Sequence, residues 1–471
     1  MKIKFCGADR TVTGSQHLLE VNGHKILLDC GLYQGKREDA YNINKTFLFD
    51  PKELHCVVLS HAHIDHSGNL PSLYRKGFKA DIYATPATRD LCAIMLQDSA
   101  HIQIKDTEYV NKKRARNNQE PFKPLYDFDD VTGVMKLFKT SSYRKQFYID
   151  GLGTDVAVTF FDAGHILGSA QVLLEVTEKG KTYKFAFSGD IGRPNLPILQ
   201  DPDFVGDVRY IISESTYGGR LHEKATDMEA SFEIVMKEAI AKGGKILVPA
   251  FSVGRTQEVV YALSKLFARN AVPKIPIFVD SPLSTNVSDV FKIHHELFDK
   301  ETAELLSKGV DIFGFSNLTY IKDVEESKRL NDLKGSCMII SASGMCESGR
   351  ILHHLANNIE DEKTFILIVG FNAPNTLGRH LVEAKDNPDA VVKIFGDEYK
   401  VKAKIEVMNS FSAHADENEL LDYFGKFNKN ILEGVFLVHG DYDQQQIFQK
   451  ALSDRNYRNI QIPEKGSEIE I

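Results

Sequence analysis

At 471 residues, with 42% apolar and 26% charged side chains, the chain is long enough for two or three domains and too apolar to be disordered or fibrous. Its net charge of −8 excludes a surface that attracts polyanions as a whole, so any nucleic acid must be held locally. No apolar run reaches the roughly 18 residues of a membrane span, the opening MKIKFCGADRTVTG lacks the apolar core of a signal peptide, and the six cysteines form no CxxC pair, so the expectations are a cytoplasmic protein, no membrane contact and buried thiols.

IKFCG, QHLLEV and KILLDCG read as short strands, the last two joined at Asn22-Gly23, a strong hairpin signal. LHCVVLS is an apolar, β-branched run that predicts a strand buried on both faces, with a helix to follow through Leu73. Periodic apolar positions in TRDLCAIMLQDSAHI open a helical excursion over 88–147. It includes a run of Lys112, Lys113, Arg114 and Arg116 that is either a solvated helix face or a basic lip facing substrate. Strands return over 154–214 in DVAVTFFDAGH, SAQVLLEVT, KTYKFAFSGD and VRYIISEST.

From about 217 to 386, helices alternate with apolar strands. A Thr226-to-Glu229 capping box opens a helix that closes on Gly243-Gly244. KILVPAF, RTQEVVYALSKLFARN, KIPIFVD, a long helical pattern near 285–308, SCMIISASG, GRILHHLANNI and TFILIVGF follow. Such alternation implies βαβ units and a mostly parallel sheet. Short strands resume after 390 in AVVKIF, KIEVMN and GVFLVHG. The expected α/β organisation is one β-rich domain, 1–216 and 387–471, interrupted by an inserted α/β domain, 217–386.

Chemistry concentrates directly after the strand LHCVVLS. Ser60-His61-Ala62-His63-Ile64-Asp65-His66-Ser67-Gly68 places three imidazoles and a carboxylate within six residues, so one loop can offer ligands to two ions. Imidazole and carboxylate suit zinc. His165 in FFDAGHILGSA, Asp190 in FAFSGDIGR and His439 in VFLVHGDYD each end an apolar run beside glycine, and are the further ligand candidates.

Taken together, LLDCG, SHAHIDHSGN, AGHILGSA and SGDIGR resemble, in spacing and order, the four motifs of the metallo-β-lactamase superfamily. SESTYG (Glu214), NSFSAHAD (His414) and LVHGD (His439) resemble the extra motifs of its β-CASP nucleic-acid-processing subgroup. The resemblance implies an αββα sandwich interrupted by a β-CASP domain, and two Zn2+. His61, His63 and His165 would hold one ion and Asp65, His66 and His439 the other, with Asp190 between them and Asp29 orienting a ligand imidazole. It further implies a zinc-dependent ribonuclease acting on single-stranded RNA. One departure is the stretch Phe371-Asn372-Ala373-Pro374-Asn375-Thr376, where related sequences often carry Gln-Ala-x-Gly-Thr.

A leaving ribose oxygen needs a proton, and His414 is the candidate donor. It precedes a predicted helix whose positive end disfavours the imidazolium, while Glu214 beside it would favour that form. Ser341, Ser343 and Gly344, in a strand-to-helix turn, and Ser412 are candidate phosphate contacts. The rival readings are a DNA-processing nuclease, a small-molecule hydrolase of thioesters or lactones, and a noncatalytic nucleic-acid scaffold. The intact ligand set argues against the scaffold, and the roughly 170-residue insertion argues against a small substrate. His439, where DNA-acting relatives tend to have valine, favours RNA. The sequence leaves open exonuclease against endonuclease action, which RNA is cut, and whether the chain forms a homodimer.

Overall fold

The structure, a computed structural model, describes residues 1–35, 37–222, 228–370, 372, 375–408 and 412–471. Thr226 of the expected capping box, Phe371, Ala373 and Pro374 of the departing stretch, and the first three residues of NSFSAHAD lie outside the described residues. Two compact units result. The first comprises Met1–Pro194, Asp201–Leu221 and His414–Ile471, and the second Asn195–Gln200 and His222–Ala413.

Two seven-stranded sheets make the first unit. One contains Lys2–Gly7, Gln16–Val21, His24–Leu28, Leu54–Val58 and Asp81–Ala84; the other contains Val156–Asp162, Ala170–Glu178, Lys181–Phe187, Tyr210–Glu214 and Gly434–Val438. Alternate residues of each strand point inward. Ile3, Phe5, Leu19, Val21, Ile26, Leu28, Cys56 and Val58 from one sheet therefore share a core with Val158, Phe160, Val172, Leu174, Phe185 and Phe187 from the other. The intervening positions Leu173, Ala186, Ile211, Val435 and Leu437 face outward onto Leu420, Leu421, Phe424, Phe448 and Leu452, which belong to the helices Glu417–Phe424 and Tyr442–Asp454. The hairpin expected at Asn22-Gly23 is present, both residues having positive φ as a type I′ turn requires.

A six-stranded sheet, parallel at every pairing, organises the second unit: Leu318–Tyr320, Ile277–Val279, Cys337–Ser341, Lys245–Pro249, Phe365–Val369 and Lys404–Met408. The second compact unit extends beyond 387 as far as Ala413, because Lys404–Met408 pairs in register with Phe365–Val369 and buries Ile405 in that unit's core. Among the described residues, Val391–Ile394 pairs only with Asp397–Lys400, and its Val392 and Ile394 pack into the same core. The long helical pattern near 285–308 is two helices, Pro282–Ile293 and Lys300–Ser307, the second capped by Asp299. All six cysteines are buried and free, and no helix among the described residues is long and apolar enough to cross a membrane.

Candidate metal and catalytic centre

Strand direction gathers the chemistry of the first unit at one rim. Lys181–Phe187, Tyr210–Glu214 and Gly434–Val438 run parallel, and Val156–Asp162 runs the same way two strands over. Their C-terminal ends therefore deliver Asp190, Glu214, His439 and His165 together. His24–Leu28 and Leu54–Val58, also mutually parallel, deliver Asp29 and the loop from Ser60 to Ser67. Close backbone approach makes this possible at two glycines. A Cβ on Gly31 would lie 1.6 Å from the Asp65 carbonyl, and one on Gly192 would lie 1.9 Å from the Gly164 carbonyl beside His165. Asp29 and His439 themselves sit at φ 59° and 49°, a region few non-glycine residues occupy.

Every expected ligand is brought together. His63 Nδ1 lies 3.2 Å from both His61 Nε2 and His165 Nε2, while Asp190 Oδ2 lies 3.4 and 3.5 Å from the latter two. On the other side of Asp190, His66 Nε2 lies 3.2 Å from His439 Nε2 and 3.3 Å from Asp190 Oδ2, and Asp65 Oδ2 is 3.5 Å from His439 Nε2. A tetrahedron with metal–nitrogen bonds of 2.0–2.1 Å has edges of about 3.3–3.4 Å, so these spacings fit zinc. Asp190 Oδ1 is buried without a hydrogen-bond partner among the described residues, a costly state for a carboxylate that a nearby cation relieves.

The supporting hydrogen bonds set which nitrogen of each ring faces the cluster. His66 Nδ1–H donates to Asp29 Oδ2 at 2.6 Å, and Ser60 anchors the same carboxylate through its N–H at 2.7 Å and its hydroxyl at 2.8 Å. With the Ser60 proton so used, His61 Nδ1–H donates to Ser60 Oγ at 3.0 Å. The Thr216 hydroxyl donates to the His439 carbonyl at 3.1 Å and accepts from His439 Nδ1–H at 3.0 Å. Each arrangement leaves an Nε2 lone pair for a cation. Asp29 is the orienting residue that the family resemblance implies, and it is the acceptor for His66 Nδ1–H. Ser60 and Thr216 were not singled out, although their adjacency to His61 and Glu214 was the available signal.

Burial and mutual repulsion keep part of the set neutral: the His63 imidazole is pushed down to about 4, and His61 lies well below its ordinary value, burial leading and His66 adding. Burial would raise Asp190, but the surrounding imidazoles, His439 and His66 foremost, hold it well below the usual carboxylate range.

His414 completes the rim. Its ring centroid is 4.5 Å from that of His165, and its Nδ1 lies 3.1 and 3.2 Å from the two Glu214 oxygens. Burial would lower its pKa, yet Glu214 first and Asp190 second raise it to about 9. The expected helix start two residues on is present, as a capping box between Asp416 and Glu419. The proposed phosphate turn is committed to its own fold: Ser341 Oγ donates to the Asp280 carbonyl, and Ser343 Oγ accepts from Glu347 N and Ser348 N. Gly344 packs under Phe251, and Ser412 is buried.

A two-sheet sandwich carrying a histidine- and aspartate-rich rim, with a parallel α/β unit inserted, defines a metallo-hydrolase. The chain matches the metallo-beta-lactamase superfamily domain over residues 18–186, the Beta-Casp domain over 256–381, and the Zn-dependent metallo-hydrolase RNA specificity domain over 398–463. It is 34% identical to Ribonuclease TTHA0252 of Thermus thermophilus, covering 97% of this chain and 96% of that one. It is 28% identical to the RNase J-like protein of Methanocaldococcus jannaschii, covering 98% and 96%, and 27% identical to cleavage and polyadenylation specificity factor 73 of Drosophila melanogaster, covering 96% and 61%. A crystal structure of a protein of unknown function from Enterococcus faecalis shares the fold at TM-score 0.54 and 11% identity, covering 99% of each chain. The chain belongs to the β-CASP branch of the metallo-β-lactamase superfamily.

Proposed function

We propose that this protein is a cytoplasmic zinc-dependent ribonuclease that hydrolyses phosphodiester bonds of single-stranded RNA at a binuclear centre, with His414 as general acid. The observation that carries the reading is the side-by-side placement of two ligand groups, His61, His63, His165 and Asp190 in one and Asp65, His66 and His439 in the other, with Asp190 Oδ2 3.3 Å from His66 Nε2 and Asp190 also grouped with Glu214 and His414. His61, His63 and His165 would hold one zinc ion, Asp65, His66 and His439 the other, and Asp190 would serve both. Zinc bound there supplies a nucleophilic water near neutral pH and neutralises charge on the phosphoryl group. The chain's own contribution is the proton. Glu214 engages His414 Nδ1, which fixes the ring and keeps it cationic, so Nε2–H is the donor to the departing ribose oxygen. The names of the relatives, a ribonuclease, an RNase J-like protein and a cleavage and polyadenylation specificity factor, support RNA as the substrate.

Zinc-loaded protein incubated with end-labelled RNA and DNA of one sequence, with and without chelator, tests this. The expected result is a chelator-sensitive RNA ladder and intact DNA; equal cutting of both strands would favour the DNA-processing reading. Light scattering on the same sample reads whether two copies pair.

A further inference from the structure

The helix Pro86–Arg116 runs for 31 residues, far beyond the usual 11 or 12. Its first turn is tied to the metal rim, since the Thr85 and Thr88 hydroxyls both donate to the Gly168 carbonyl in the His165 loop, at 2.7 and 2.8 Å. One side is occupied throughout. Cys92, Leu96 and Ala100 are buried, Ser99 Oγ meets Tyr126 OH at 2.7 Å, and the distal half is braced by Asn111 with Phe122 and by Arg114 Nε donating to the Glu120 carbonyl. The opposite side is left to solvent. Ile102, Lys105, Tyr109, Lys112 and Arg116 follow at steps of three, four, three and four, one face of a helix, and all are exposed, Tyr109 by 70%. Lys105 pairs with Glu108 at 3.1 Å, but both are exposed, and such a pair yields readily to a phosphate.

We propose that this face is a track for the single-stranded RNA substrate beyond the cleavage site, an inference that rests on the ribonuclease reading. Its occupant follows from chemistry. A stripe of three cations interleaved with an exposed ring, on a protein of net charge −8, is a local complement to a strand that offers phosphates and stackable bases. Placement supports it too: at 1.5 Å per residue the stripe begins about 21 Å from Thr88 and extends about 21 Å more, leading away from the rim. A strand seated at the metals would reach it only if several nucleotides long.

The test uses zinc-loaded protein and fluorescent phosphorothioate-linked RNA, which resists cutting, read by anisotropy across a salt series. In the Lys105→Gln/Lys112→Gln/Arg116→Gln variant, affinity for a 20-nucleotide strand should fall about tenfold or more at low salt. The slope of log affinity against log salt should become shallower by about 2, at about 0.7 per lost contact. Tyr109→Ala should weaken the same strand by about fivefold or more with its slope unchanged. A trinucleotide, too short to reach the stripe, should bind wild type and variants alike. Unchanged affinity and slope for the long strand would overturn the proposal, whether the face then serves an acidic protein or solvent alone. Equal loss on both lengths would also overturn it. Wild-type protein that shows this slope effect yet cuts no RNA would sink the ribonuclease reading and not the track.

Discussion

Glu214 accepts a hydrogen bond from the Ile191 amide at 2.5 Å while its two oxygens sit 3.1 and 3.2 Å from His414 Nδ1. The carboxylate is thus fixed by the backbone that follows Asp190, and through it the imidazole is fixed relative to the metal ligands. Charge and orientation come from one wholly buried group.

This relationship predicts that His414→Ala keeps the zinc complement yet slows cleavage of RNA by about 10² to 10⁴, the usual worth of a positioned acid. A nitrophenyl phosphodiester has a good leaving group, so on it wild type and variant should nearly converge. Glu214→Gln should act in the same direction more weakly, keeping the acceptor for Ile191 N while removing the charge. Equal slowing on both substrates, or zinc loss, would assign His414 a ligand or structural role.

Zinc stoichiometry is the second measurement. Two ligand groups meeting at Asp190 predict close to two ions per chain by elemental analysis after reconstitution at neutral pH. Asp190→Ala should lower that number more than any other single carboxylate change, since its Oδ2 lies 3.4 and 3.5 Å from His61 and His165 of one group and 3.3 Å from His66 of the other. A folded protein that stays at one ion or none would remove the binuclear reading.

Thr216 gives a third. Thr216→Val is nearly isosteric but removes the acceptor for His439 Nδ1–H. Loss of such an orienting partner typically costs 10- to 100-fold in metal affinity, so competition with a chelator should show one weakened site in a protein of unchanged melting profile. His439→Val should weaken that site further, and RNA cleavage with it. If Thr216→Val released zinc no faster than wild type, the hydroxyl would be serving only the His439 carbonyl.

The sequence carried the ligands because HxHxDH and three glycine-flanked strand ends are local signals, each readable without knowing the fold. The sandwich came only through the resemblance of LLDCG, SHAHIDHSGN, AGHILGSA and SGDIGR to the metallo-β-lactamase motifs; burial pattern alone does not give it, since Gln16–Val21 is buried at five of its six positions. The hydroxyls of Ser60 and Thr216 were not legible in the same way: what makes them supports is the direction of a lone pair across a tertiary contact, and serine or threonine beside a ligand is common without one. The extent of the second compact unit is hidden for a related reason. Lys404–Met408 reads as any short strand, and only its parallel pairing with Phe365–Val369 places it in the second unit.

Asp9 supplies a pH-dependent prediction away from catalysis. It lies in the loop after Lys2–Gly7, is 9% exposed, and neither of its oxygens has a hydrogen-bond partner among the described residues. Burial raises its pKa from the ordinary 3.8 to about 8, with Lys465 opposing weakly. The folded state therefore holds a proton that the unfolded chain has released over the interval between those values. Stability attributable to this group falls as pH rises through that window and is level outside it. Asp9→Asn removes the titration while keeping the shape. Its stability relative to wild type, from urea unfolding, should be smallest near pH 4 and grow toward pH 8, with about 1.4 kcal/mol per pH unit as the ceiling. Comparing the two proteins at each pH cancels the titration of the histidines, which both share. A stability difference that does not change between pH 5 and pH 8 would mean that Asp9 is hydrated or paired in solution and ionises as an ordinary carboxylate.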